Sequence, residues 1–205
     1  MTPDASDGPG APSEAGAGAE RPLRADARRN RARVLAAADA VFAAKGTGAS
    51  TEEVAREAGV GIGTVFRHFP TKEALLTAVL VDRLRRLAED AEAQAGAADP
   101  GAVFFAFFAR VVEQGRTKNA FTDVLHEAGV DVTAATAEYG KRVRAAVAEL
   151  LARAQRAGAV REDVGVAELL ALMAGVSRAA ERAASDGEVR AKALAIVFDG
   201  LRPRP

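Results

Sequence analysis

Apolar residues recur at helical spacing along most of this chain. Val34, Leu35, Ala38, Val41 and Phe42 fall one, three and four positions apart and form one stripe. They predict a helix over 25–44, closed by a basic last turn and a stop at Lys45 and Gly46. The run Ser50, Thr51, Glu52, Glu53 reads as a second helix start. Either hydroxyl serves as its cap, and Ser50 with Glu53 has the capping-box spacing. This helix runs only to about Ala58, where Gly59 breaks it. A third short helix opens at Gly61 or Ile62, ends near Phe69 and is stopped by Pro70. Thr71 caps a long fourth helix, whose stripe of Leu75, Leu76, Val79, Leu80, Leu84 and Leu87 carries it to about Ala91. Residues 95–99 read as a loop, and Pro100 suits a helix's first turn. Further helices are predicted over 100–116, 120–128, 133–157, 164–184 and 188–201, with Gly129, Gly158 and Gly187 marking breaks. The pattern predicts an all-α chain of about nine helices, with no sequence repeat.

Composition agrees with helix. Alanine dominates, charged residues are plentiful, Tyr139 is the only tyrosine and there is no tryptophan. With 205 residues, the chain is long enough for one large domain or two small ones. It has no cysteine, which excludes disulfides and thiolate metal sites. No motif calls for a metal or a cofactor. No run of 18 apolar residues exists, so no membrane span is expected. The first twenty residues lack the basic start and apolar core of a signal peptide, and the expected location is cytoplasmic. Residues 1–24, rich in Gly, Ala, Pro and Ser, read as a disordered tail.

Charge is uneven along a chain whose net charge is zero. Residues 1–20 hold four acids and no base. Residues 21–72 hold ten Lys or Arg against five acids, a surplus of +5, while the remainder is close to neutral. A basic unit joined to a neutral one fits contact with a polyanion; a solvated helix face gives the same count.

The most informative stretch is 51–69: a helix of about eight residues, a turn holding Gly59, then a short helix. This is helix-turn-helix spacing. Small Ala55 lets the second helix cross closely, and Gly59 permits a backbone conformation that side chains resist. Val54, Ala58, Val60, Ile62, Val65 and Phe69 are the positions expected to lock both helices onto the first. The remaining face of the short helix carries Gly61, Gly63, Thr64, Phe66, Arg67 and His68, and would lie in the major groove of DNA. Arg67 is the candidate for reading a guanine edge through O6 and N7. Helix corners with a Gly turn also occur in proteins that never touch DNA, so spacing alone does not decide.

The run TEEVAREAGVGIGTVFRHFPTKEALL (51–76), after a basic amphipathic helix ending VFAAKG (41–46), resembles the N-terminal domain of the TetR family. The match covers about 25–80 and is most similar to actinobacterial-type members; the ending VFDGLRP (197–203) agrees. The resemblance implies a homodimer. Its three N-terminal helices (25–72) bind double-stranded DNA, and its larger C-terminal domain (73–205) binds a small-molecule effector and dimerises. Most such proteins are repressors that leave a palindromic operator when the effector binds. On the same resemblance, Thr51 grips a phosphate at a helix N-terminus, Thr64 reaches base edges or a phosphate, Phe66 and His68 meet the backbone, and Lys72 binds a phosphate. Two positions depart from the family pattern. Gly61 stands where Ser or Thr is frequent, which removes a cap, and Phe66 stands where Tyr is frequent. Phe66 cannot donate to a phosphate, leaving it a sugar or a thymine methyl to pack on. The arginines Arg24, Arg28, Arg29, Arg31 and Arg33 are further candidates for phosphate contact.

In the C-terminal part, Phe104, Phe105, Phe107 and Phe108 occupy more than one face of their helix. An aromatic-lined effector pocket drawn from Phe104, Phe105, Phe108, Phe121, Leu125, His126, Tyr139 and Met173 is one reading; plain core is the other. The last two helices resemble the family's dimerisation pair. Leu169, Leu172, Met173, Val176 and Ala180 make a stripe on one, and Leu194, Val197, Phe198 and Leu201 on the other. An enzyme finds no support: the two histidines lie far apart and no HExxH or GxSxG occurs. A sequence-independent architectural DNA binder would have no need for the long apolar C-terminal part.

Overall fold

Local capping decides where four of the helices begin. In the computed structural model, which describes residues 17–182 and 187–204, eight α-helices and one 3-10 turn account for most of the described residues, and no strand occurs among them. They are α1 (Ala17–Lys45), α2 (Thr51–Ala58), α3 (Ile62–His68), α4 (Lys72–Ala93), the 3-10 turn Gln94–Gly96, α5 (Pro100–Glu127), α6 (Val132–Arg156), α7 (Val166–Arg182) and α8 (Gly187–Leu201). Side-chain oxygens of Ser50, Thr71, Asp99 and Asp131 accept backbone N–H groups in the first turns of α2, α4, α5 and α6.

Two apolar cores result. The first joins α1, α2, α3 and the start of α4 around Val34, Phe42, Val54, Val65, Leu75 and Leu76. The second joins the end of α4 with α5, α6, α7 and Leu201 of α8 around Phe104, Phe108, Val147, Leu151, Leu169 and Met173. Helix α5 belongs to both: its final turns place Phe121 and Leu125 in the first core, where the Phe121 ring meets Phe42 edge-on at 5.8 Å. The end of the chain docks inward, with the carbonyl of Leu201 accepting from the Arg161 N–H at 2.9 Å.

Three expectations are corrected. The first helix begins at Ala17, eight residues before the boundary expected at 25; Ala17, Ala19 and Glu20 are strong helix formers without the large apolar residues that reveal periodicity. Residues 1–16 of the expected tail, and 183–184 of the helix expected over 164–184, lie outside the described residues. The break expected between 116 and 120 does not occur: α5 is continuous across it, held by packing against α7. A Cβ at Gly115 would meet Ser177 of α7 at 2.5 Å, and Asn119 donates to Glu181 of α7 at 3.2 Å. Tertiary contacts thus compensate weak helix formers. Finally, the stripe read on α8 packs within its own domain: Phe198 lies against Phe105 (4.9 Å) and Phe108 (5.5 Å), and Leu194 and Val197 join the same core. The outward apolar residues of this pair include Leu172 and Ile196, the latter 66% exposed.

Candidate nucleic-acid interface

The corner between α2 and α3 is built from reciprocal caps. Ser50 Oγ accepts from the Glu53 N–H (3.2 Å), and Glu53 accepts from the Ser50 N–H (2.9 Å). The other Glu53 oxygen accepts from Lys45 Nζ at 2.6 Å, tying the end of α1 to the start of α2. That ammonium, and then the Ser50 amide, hold the Glu53 carboxyl below the ordinary carboxylate value. At the other end of α2, Gly59 takes φ +63°, a left-handed conformation that a side chain resists. The Arg33 guanidinium donates to the Ala58 carbonyl (2.6 Å) and to that of Gly59 (3.3 Å), so Arg33 caps α2 and is occupied there. Arg29 pairs with Asp26, and Arg31 lies over the Phe69 ring at 5.1 Å. Of the five N-terminal arginines expected at phosphates, these three have partners inside the protein. Arg28 is exposed, and the side chain of Arg24 lies outside the described ones.

Helix α3 is only seven residues long and depends on its anchors. Val65 and Phe69 are buried in the first core. Ile62, expected to lock the corner, is 36% exposed and belongs to the outward face instead. With it stand Gly61, Gly63, Phe66 and Arg67, all exposed, while Thr64 and His68 are half-buried. Lys72 opens α4 beside this face, and Thr51, nearly buried, opens α2. Arg67 and Lys72 make no ion pair with the described residues. A Cβ added at Gly61 or Gly63 would meet nothing within 4 Å, and neither glycine has a positive φ. Internal packing and backbone conformation therefore give no reason for glycine at either position.

The eight residues read as an effector pocket do not converge. Phe104 and Phe108 are buried in the second core, and half-buried Phe105 packs on Phe198 beneath the Arg202 guanidinium. Phe121 and Leu125 are core of the N-terminal unit. His126 is exposed, and Tyr139 lies along a surface groove with Arg31 and Phe69. Met173 alone lines the cavity that α4, α5, α6 and α7 enclose. That cavity measures about 390 Å³, and its walls include Leu84, Leu87, Val111, Lys118, Val143, Arg144 and Ser177. Lys118 and Asn119 went unread because they sit in the segment taken for a break. The spacing Val111, Gly115, Lys118 was the available signal, since it sets all three on one face of a continuous helix.

These features define a helix-turn-helix DNA-binding protein with a helical C-terminal domain. Comparison with known proteins agrees. The sequence model for bacterial regulatory proteins of the TetR family matches residues 34–79, and that for the transcriptional regulator SbtR-like C-terminal domain matches residues 99–203. A TetR transcription regulatory protein from Mycobacterium vanbaalenii is 43% identical, with a TM-score of 0.72 over 89% of this chain and 100% of that one. A TetR transcriptional regulator from Streptomyces coelicolor is 31% identical, with a TM-score of 0.70 over 85% and 99% of the two chains. Comparison with curated proteins returned no match. The chain belongs to the TetR family and is a DNA-binding transcriptional regulator.

Proposed function

We propose that the protein is a ligand-responsive repressor that binds a palindromic operator as a homodimer and is released when a small molecule binds its C-terminal domain. The observation that carries this reading is the outer face of α3, where exposed Arg67 and Phe66 stand beside two glycines that nothing inside the chain requires. In this reading Arg67 reads a guanine, Thr64 meets a base edge or phosphate, and Phe66 packs on sugar or a thymine methyl. Thr51, His68 and Lys72 fix the register on phosphates, and Gly61 and Gly63 let the α3 backbone approach the duplex. The effector enters the cavity between α4 and α7, whose volume lies within the range of small-molecule sites. Dimerisation uses the outward faces of α7 and α8, where Leu172 and Ile196 are exposed. A two-fold pair presents two reading helices about one DNA turn apart or a little more. No helix of the described residues is long and apolar enough to cross a membrane, and a DNA target places the protein in the cytoplasm.

The test is selection of bound sequences from a random duplex pool, using the full chain and Arg67→Ala in parallel. The expected result is a two-fold motif with altered base preference in the variant. No enriched motif at moderate salt would contradict the reading and favour an architectural binder.

A further inference from the structure

The wall of the α4–α7 cavity has a one-sided charge. It carries Lys118, Arg144 and Arg178 and no aspartate or glutamate. Arg178 is already neutralised, since Asp123 accepts from both of its terminal nitrogens (2.7 and 2.9 Å) and Glu181 from one (3.3 Å). The neutral donors are committed too. Ser177 donates its hydroxyl to the Met173 carbonyl (2.8 Å), Thr136 donates to Val132 (2.7 Å), and Asn119 donates to Glu181. Lys118 and Arg144 have neither an ion pair nor a side-chain hydrogen bond among the described residues. Lys118 is an exposed residue that lines the cavity, and desolvation by the protein beside it, and secondarily Arg178, push its ammonium below the ordinary lysine value of 10.5. A cation beside a mostly apolar wall favours a partner that brings both an acceptor and a negative charge. A single negative charge fits better than two, because each charge brought in from water carries a large desolvation cost.

We propose that the effector is a small organic acid, its carboxylate held at Lys118 with Arg144 adding charge, and its apolar body lying on Leu84, Leu87, Val111 and Met173. This deepens the regulator reading above and rests on it for its biological meaning. Leu84 and Leu87 belong to α4, whose first turns sit in the core of the DNA-binding unit. An apolar body on those two leucines therefore touches the element that joins the two units.

Calorimetric titration of the full chain with octanoate and with 1-octanol, and with 4-propylbenzoate and its alcohol, tests the proposal. At least one acid is expected to bind ten-fold or more tightly than its alcohol. Lys118→Met should abolish that preference while circular dichroism still reports a folded helical chain. Arg144→Gln, at an exposed position, should reduce the preference by a smaller factor. Equal affinity for acid and alcohol in the unaltered protein would overturn the proposal, as would failure of both acids to bind or an unchanged preference in Lys118→Met. The titration contains no DNA and the duplex selection contains no acid, so failure of one is distinct from failure of the other.

Discussion

Two glycines in helices have opposite physical reasons. At Gly115 an added methyl would sit 2.5 Å from both Cβ and Oγ of Ser177, and the Cβ cannot move away without moving α7. Overpacking of this kind costs about 1–3 kcal/mol, against the roughly 1 kcal/mol that alanine gains over glycine in a helix. Gly115→Ala is therefore expected to lower stability in urea unfolding. At Gly63 the added methyl meets nothing, so only propensity remains. Gly63→Ala is expected to raise stability by about 0.5–1 kcal/mol while weakening DNA binding. A Gly115→Ala protein more stable than the parent would contradict the close approach of α5 and α7. The exposed face of α3 was legible in the sequence because cap, glycine turn and short helix lie close together in the chain, within positions 51–69. Residues facing the cavity were not, because they come from four helices whose mutual rotation periodicity leaves open. That is why the eight candidates, most of them aromatic, scatter over both cores and the surface, and of them only Met173 lines the cavity.

Helices α4 and α5 connect the two units, and α4 does so with both charge and packing. Asp39 of α1 accepts from Arg83 and Arg86 of α4, and the Arg83 guanidinium also lies 5.0 Å over the Phe121 ring of α5. One acid thus holds two arginines at a junction where Arg83 and Asp39 are mostly buried. Removing it leaves a partly buried cation without its partner, which costs about 1–3 kcal/mol. The pair Asp90 and Arg110, also between helices, is half exposed, and such pairs contribute about 0–1 kcal/mol. Chemical unfolding of Asp39→Ala and Asp90→Ala should show the larger loss for Asp39→Ala; equal losses would mean that the α1–α4 junction is held by apolar packing alone. At this scale the sequence was readable wherever an element is defined locally. The starts of α2 and α4 and the stop of α2 at Gly59 follow from caps and a left-handed glycine. The continuity of α5 was hidden because Gly115, Thr117 and Asn119 are poor helix formers whose cost is offset by α7, a partner 60 residues away.

Over the whole molecule, internal pairing leaves the +5 surplus of residues 21–72 unchanged, because Lys45–Glu53 and Arg29–Asp26 each take up one base and one acid, but it fixes where several of the cations sit. Lys45 neutralises Glu53, Arg33 caps α2, Arg29 meets Asp26 and Arg31 stacks on Phe69. Among the described side chains, Arg28 on the exposed side of α1, Arg67 on α3 and Lys72 beside it have no ion pair. Sequence-specific recognition of DNA by α3 is measured by a specificity ratio. Fluorescence anisotropy at about 150 mM salt would compare the operator recovered by selection with a scrambled duplex of the same length. The account predicts a preference for the operator of about 10³-fold or more, the lower bound for specific recognition. Equal affinity for the two duplexes would contradict it.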